Sequence, residues 1–230
     1  MQAVILAGGR GTRLLPLTNT LPKPIIPIHG KPFLQYQIEL IKSYGINEVL
    51  ILVNYLSDQI ESHFKDGSYF GLKIEYSYEK YPLGTGGAIK NAEDKLADDF
   101  LLMNGDTFIQ IDYRDLINVS YKFNKIGIVT VYENFSKLFY NNICINSSKF
   151  VMGYNEEESK DMTHVNTGVM VFKKKITDYI PKNQKCSLAV DIFEKLIGKK
   201  ELIAFTTNQR FYDMGSIKEL KIIKDLLKRK

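Results

Sequence analysis

The sequence predicts an α/β fold built around a mostly parallel sheet, with a smaller, partly antiparallel lobe in its second half. Three observations predict it. Short apolar runs alternate with stretches of helical spacing, the pattern of strands joined by helical crossovers. Several of those runs, AVILA at 3–7 among them, are apolar throughout, as strands covered on both faces are. From 127 to 172 four strand-like runs follow one another with no long helical stretch between 133 and 172, and that is where the antiparallel part belongs.

Taken in order, 3–7 is a buried strand that runs into Gly8, Gly9 and Gly11. Leu34, Ile38 and Ile41 share one face over 33–44, which predicts a helix, and Gly45 stops it. The stripe Tyr36, Leu40, Tyr44 reads as core. Residues 48–54 form a central strand, and Leu56, Ile60 and Phe64 stripe the next helix. Residues 73–79 alternate as a strand, 87–96 predict a helix, and 100–106 a buried strand ending in a polar turn. The second half offers strands at 127–133, 141–146, 150–155 and 165–172. Helices at 187–198 and 217–228 follow, separated by a strand at 202–207 and a turn at 211–216, with Ser216 as the cap of the last helix. No linker interrupts this order, so the chain reads as one domain with halves of about 1–125 and 126–230.

At 230 residues with 44% hydrophobic side chains, the chain is long enough to bury one full core. Charged residues at 25%, with 13 Phe and 14 Tyr, argue against disorder. The net charge of +5 suits anionic small molecules. Part of it sits in Lys221, Lys224, Lys228, Arg229 and Lys230, which read as a solvated helix face. Basic residues are interspersed with acids along the rest of the chain, which argues against a nucleic-acid stripe. No run approaches the roughly 20 apolar residues of a membrane span, and the N-terminus lacks the features of a signal peptide. Cys144 and Cys186 are far apart and His29, His63 and His164 lack metal-ligand spacing, so neither a disulfide framework nor a zinc site is expected. His164 draws interest only as a neighbour of Asn166. No G-x-S-x-G elbow proposes a serine hydrolase. A soluble cytoplasmic protein fits.

Open α/β sheets bind ligands at the carboxyl ends of their strands, so chemistry is sought in the polar turns there. The first is LAGGRGTRL at 6–14 with LPKP at 21–24. Gly8, Gly9 and Gly11 let backbone N–H groups approach phosphate oxygens, while Arg13 and Lys23 supply permanent charge. This phosphate cradle is neither a Walker loop nor the dinucleotide fingerprint. In the second turn, 79–89, Gly84, Gly86 and Gly87 leave room for a flat ring against backbone. The third is NGD at 104–106, where the carboxylate of Asp106 can bind Mg²⁺. The fourth is FYDMGS at 211–216, with Asp213. Each has a plainer reading beside it: a glycine turn, a loop capped by Thr85, an Asx turn, and an N-cap.

The joint pattern of strand, three glycines, Arg13 and a proline-flanked Lys23 resembles the signature of the sugar-phosphate nucleotidyltransferases, the NDP-sugar pyrophosphorylases. PLGTGGAI at 82–89 is most similar to the heptose and mannose 1-phosphate guanylyltransferases. The resemblance covers nearly the whole chain and is thinnest over 133–182. It implies a Rossmann-like, GT-A-like nucleotide-diphospho-sugar transferase fold, with the nucleotide in the first half and the sugar phosphate in the second. It further implies Leu6, Ala7, Gly8, Gly9, Gly11 and Thr12 against the nucleotide, Gly84 and Thr85 at the base, and Asn104 with Asp106 near the ribose. Arg13 and Lys23 would be catalytic, and Asp106 and Asp213 would hold Mg²⁺.

By the same resemblance Asn166 of VNTGVMVF hydrogen-bonds sugar hydroxyls, with Thr167 in place of the usual alanine. One segment departs from the pattern. Relatives carry Glu-Lys where this chain has VMGYNEEES at 151–159, and the lysine that grips the sugar 1-phosphate aligns with Glu157. Either Glu156 alone keeps the sugar contact and Lys160 replaces the charge, or the acceptor differs. The implied partners are a nucleoside triphosphate, with GTP favoured, and D-glycero-D-manno-heptose 1-phosphate or mannose 1-phosphate. A homo-oligomer is compatible with the sequence. Uracil, cytosine or thymine as base and another sugar 1-phosphate or a non-sugar phosphate as acceptor stay open. A nucleotide-sugar glycosyltransferase would need a D-x-D pair, of which Asn104-Gly105-Asp106 has one acid. An inactive nucleotide-sensing subunit would not be expected to keep Arg13, Lys23, Asp106 and Asp213 together. The bifunctional relatives carry an added acyltransferase repeat, so a chain of this length is expected to have a single activity.

Overall fold

The computed structural model describes residues 1–157 and 159–228. Thirteen strands form among these: β1 (Gln2–Leu6), β2 (Pro27–Ile28), β3 (Lys31–Pro32), β4 (Glu48–Val53), β5 (Lys73–Tyr78), β6 (Asp99–Asn104), β7 (Thr107–Ile109), β8 (Gly127–Tyr132), β9 (Ile143–Ile145), β10 (Val151–Tyr154), β11 (Val165–Lys173), β12 (Leu202–Thr207) and β13 (Phe211–Asp213). The helices are α1 (Phe33–Ser43), α2 (Ser57–Phe64), α3 (Gly84–Asn91), α4 (Tyr113–Phe123), α5 (Phe193–Gly198) and α6 (Ile217–Leu227).

Seven strands make the main sheet, in the order β12-β8-β11-β6-β1-β4-β5. Six run in one direction and only β11 runs against them, antiparallel to both β6 and β8. The strands of the second half therefore extend the first half's sheet. Among the named strands of the described residues, antiparallel pairing occurs at β11, in the β9–β10 and β2–β3 hairpins and in the β7–β13 pair, and single antiparallel bridges join Ile143 to His164 and Phe150 to Ile203.

Side-chain alternation along β1 assigns the core. Ala3 and Ile5 join the cluster that α1 and α2 cover with Ile38 and Phe64, while Val4 joins Leu102, Ile89 and Phe193 on the other face. A third cluster seats α6 on α1 through Ile223 and Phe33. Burying such a side chain is worth about 1.5–3 kcal/mol, which is why strands apolar on both faces specify this layered arrangement. Tyr36 belongs to that core as expected, its hydroxyl donating to the Ile28 carbonyl at 2.9 Å. Gly45 ends α1 with φ +82°, a conformation that favours glycine.

Several elements differ from the sequence reading. The helix expected at 87–96 starts at Gly84 and stops at Asn91, a separate 3-10 turn following at Glu93–Lys95. The helix expected at 187–198 opens with a π-turn, Leu188–Ile192, before α5. FYDMGS contains a three-residue strand, too short to show a period of two. Helix α4 was not anticipated, although Asp112 caps it by accepting the amide of Arg114 at 2.9 Å and Tyr113, Leu116 and Ser120 share its buried face. Ser216 does cap α6, accepting from the Glu219 amide at 3.2 Å. Lys221, Lys224 and Lys228 are exposed, whereas Arg229 and Lys230 lie outside the described residues. Among the described residues no helix is long and apolar enough to cross a membrane.

Candidate active site

The strand order reverses at β1, whose crossovers lead to β4 and β5 on one side while β6 lies on the other. A cleft of about 310 Å³ opens at the carboxyl ends of these strands, where such a switch point exposes backbone polar groups to a ligand. Leu6, Ala7, Gly8 and Gly9 line it after β1, and Asn104, Gly105 and Asp106 line it after β6. Register makes these turns neighbours, since Leu6 pairs with Asn104 and the Gly105 amide donates to the Leu6 carbonyl at 2.9 Å. The start of α3 adds Gly84 and Thr85, and Lys23 and Pro24 close another wall.

Lys23 is buried, and its Nζ forms an ion pair with Asp106 Oδ2. Asp213 comes from the far end of the sequence to the same place because β13 pairs antiparallel with β7, setting Asp213 opposite Thr107. The Met214 amide donates to the Asp106 carbonyl at 2.9 Å and the Gly215 amide to Asp213 Oδ1 at 2.6 Å. Arg13 reaches the same spot, for a carbon added to Gly215 would press on the Asp213 carboxylate and lie 3.1 Å from Arg13 Nη1. Arg13 and Thr12 are exposed and lie on a 3-10 turn beside the cleft, not in its lining. Gly11 also stands outside it with φ +62°, packed against Thr18 and Lys23, whereas Gly8 and Gly9 line it. The acids offer only oxygen donors. Among the described residues no group of three or more His, Cys, Asp and Glu side chains gathers, and two carboxylates suit Mg²⁺, which completes its shell with phosphates and water.

The base-side loop corrects an expectation. Gly86 and Gly87 are not open to a flat ring, because their amides donate to the Cys186 carbonyl at 2.9 and 3.2 Å. A carbon on Gly84 would sit 2.7 Å from that same carbonyl oxygen. Thr85 does not cap α3 either; its hydroxyl oxygen accepts the Leu188 amide at 2.8 Å. The glycines thus admit residues 184–188, while Gly84 and Thr85 still face the cleft.

Glu79 lies on the same wall and was missed as a site residue, since nothing in a strand-ending glutamate marks it apart. Its Oε2 accepts the Leu83 amide at 2.8 Å, and Oε1 would lie 3.0 Å from a carbon on Gly8. Burial pushes its carboxyl above the ordinary carboxylate value.

The residues expected at the acceptor do not gather in one place. Asn166 sits where β11 slips register against β8, its Oδ1 accepting the Gly168 amide at 3.0 Å. Gly168, with φ +77°, packs against the Asn104 side chain, so Asn166 is two residues from the cleft wall. Lys160 instead lines a separate, wider cavity of about 980 Å³ with Lys137, Tyr140 and Asn141. Glu156 and Glu157 are exposed and line neither, and Glu158 lies outside the described residues. His164 Nδ1 shares a hydrogen bond with the Thr163 hydroxyl at 2.7 Å.

Comparison with known proteins fits this geometry. Residues 2–229 match the family model described as nucleotidyl transferase. A D-glycero-α-D-manno-heptose 1-phosphate guanylyltransferase of Campylobacter jejuni is 34% identical over 216 residues, covering 94% of this chain and 95% of the relative. A UTP–glucose-1-phosphate uridylyltransferase of Synechocystis is 31% identical over 214 residues; the match covers 86% of this chain but only 55% of that enzyme, so the chain spans about half its length. Among solved structures, HddC from Yersinia pseudotuberculosis complexed with GMP-PN superposes with a TM-score of 0.84 at 29% identity, over 98% of this chain and 99% of that one.

Proposed function

The chain belongs to the nucleotidyl transferase family, and from that premise we propose that it transfers a guanylyl group from GTP to a heptose or mannose 1-phosphate. The cleft at the ends of β1 and β6 carries the reading, lined by the buried Lys23 paired with Asp106 and by the Glu79 carboxylate, with Asp213 brought beside it by the β7–β13 pair. We assign the nucleotide to residues 1–125 and the acceptor to 126–230, in a cytoplasmic enzyme.

An oxygen of the sugar 1-phosphate attacks the α-phosphorus of the nucleotide. The bond from that phosphorus to the β-phosphate bridging oxygen breaks, and pyrophosphate leaves with the electron pair. The attacking phosphate is already ionised, so no side chain has to remove a proton; the protein aligns two anions and offsets their charge. Backbone amides of Gly8 and Gly9 approach the phosphates, Lys23 bears on them from the cleft wall, and Arg13 meets the charge that develops on the leaving side. Asp106 and Asp213 hold the divalent ion, Mg²⁺, which when bound neutralises phosphate charge. Asn166, beside the cleft, orients acceptor hydroxyls, whereas Glu156 and Lys160 stand outside the cleft and are assigned to the acceptor on the family resemblance alone.

Glu79 favours guanine among the bases. The N1–H and exocyclic N–H of guanine are adjacent donors suited to one carboxylate, whereas uracil and thymine present a single imide N–H flanked by acceptors. Pyrophosphate release from the four nucleoside triphosphates, each paired with heptose, mannose and glucose 1-phosphates, tests the reading. GTP with a manno-configured acceptor is expected to be fastest by at least tenfold. Release only from UTP or dTTP would overturn the base assignment, and no release from any pair would overturn the reaction.

A further inference from the structure

Helix α1 contributes no residue to the cleft lining, yet one of its side chains reaches the backbone of the turn that carries Asp106. Gln37 is completely buried, on a helix face otherwise made of Phe33, Leu34, Ile38 and Ile41. A buried amide is costly unless bonded. Its Nε2 donates to two carbonyls at once, Asn104 at 2.8 Å and Thr107 at 2.5 Å. Its Oε1 has no hydrogen-bond partner among the described residues. An apolar side chain of this size would avoid that orphaned acceptor, so packing alone does not account for a glutamine here.

The two carbonyls bracket Asp106. Other bonds to the turn come from elsewhere: the Gly105 amide goes to Leu6 on β1, and the Asp106 carbonyl takes the Met214 amide beside Asp213. Lys23 holds the carboxylate itself, and Gln37 adds a tie to the backbone that spans both ends of the turn with one planar amide. A carboxylate that must share an ion with another strand's acid and align two phosphates needs such a hold, because a misplacement of about 1 Å can cost on the order of a hundredfold in rate.

We propose that Gln37 is a positioning residue for Asp106, holding the 104–107 turn so that this carboxylate and Asp213 serve one divalent ion. The proposal rests on the reading of Asp106 and Asp213 as the metal-holding acids.

The test uses the full chain and Mn²⁺ as probe. Binding of Mn²⁺ to the protein–GTP complex is followed by electron paramagnetic resonance, GTP binding without metal by calorimetry, and turnover as a function of Mn²⁺ concentration. Gln37→Met keeps the volume and removes both donors; Gln37→Glu keeps the shape and offers at most one hydrogen. Gln37→Met is expected to bind Mn²⁺ at least tenfold more weakly, with metal-free GTP affinity within about twofold of wild type. Turnover should fall about a hundredfold and recover in part at high Mn²⁺, with Gln37→Glu between the two. Should Gln37→Met fail to fold, the Gln37→Glu value decides. Wild-type Mn²⁺ affinity in a folded variant overturns the proposal even if activity is lost. Wild-type protein that binds GTP but no Mn²⁺ overturns the reading of the acids, and this inference with it.

Discussion

The cleft end of the sheet and the region we assign to the acceptor hold their side chains by different means. At the cleft, Leu6 faces Asn104 across a parallel pair and Asp213 faces Thr107 across an antiparallel one, so ladder register fixes the turns. Between β8 and β11 asparagine side chains take over. Asn134 donates to the Phe139 carbonyl at 2.6 Å and to Asn141 at 2.9 Å while accepting the Leu138 amide at 2.9 Å. Asn142 accepts the Asn166 amide at 2.8 Å, and Asn146 accepts those of Ser148 and Phe150. Register is shared by the whole sheet and resists change, whereas a loop tied to itself can be exchanged without disturbing its neighbours. A fold organised this way keeps one phosphate chemistry and varies the acceptor.

The contrast predicts the largest losses where register sets the geometry. Asp213→Ala should lose on the order of a hundred- to a thousandfold in turnover and melt only slightly earlier, the Gly215 amide losing its acceptor. Asp106→Ala should lose as much and also melt earlier, because buried Lys23 is left without its ion-pair partner. Arg13→Ala, an exposed change, should cost about a hundredfold in turnover and nothing in stability. Steady-state rates and thermal melts of the purified variants check all three. Near-native turnover in Asp213→Ala would break the comparison at its strongest point.

Glu79→Gln should come next, lowering the preference for GTP over UTP about tenfold, in line with one buried hydrogen bond to a charged group. Its pH dependence sharpens the assignment. Burial raises the Glu79 carboxyl above its ordinary value of 4.5, so the folded state holds this proton more tightly than the unfolded chain. The stability this confers is complete below the ordinary carboxylate value and is lost as pH rises through the raised one. Glu79→Gln should therefore melt later than wild type at neutral pH, and the difference should vanish below pH 4.5. The GTP KM of the wild type should climb as pH falls through that window, while that of the variant stays flat.

The smallest effects are expected on the acceptor side and should fall on one substrate only. Asn134→Ala frees the 135–141 loop, and Lys160→Ala removes a cation from the cavity that loop lines. Each should raise the acceptor KM several-fold, within the range of a lost hydrogen bond or an exposed charge contact, and leave the GTP KM unchanged. Equal changes in both constants would show that the two regions are not independent.

The same division explains how much could be read in the sequence. The cleft was legible because glycines after β1, an acid after β6 and a lysine between prolines mark strand ends, and strand ends converge in a parallel sheet. Asp213 was legible as a residue, but the three-residue β13 that delivers it was not. Glu79 and Gln37 gave no local sign, one being a strand-ending acid and the other a polar residue on an apolar helix face. Their roles arise from partners 67 and 70 positions away for Gln37 and from burial for Glu79. The room expected above Gly86 and Gly87 is taken by residues 184–188, a contact no spacing encodes. Helix α4 carried a readable signal, an aspartate cap before Tyr113, Leu116 and Ser120 on one face, that the sequence reading did not use.

The most direct test is a crystal structure of the protein with a non-hydrolysable GTP analogue and Mn²⁺, located by its anomalous signal. The account predicts one ion bonded to oxygens of both Asp106 and Asp213, with the triphosphate on the Gly8–Gly9 turn. An ion bound by neither acid, or a nucleotide seated away from the ends of β1 and β6, would contradict it.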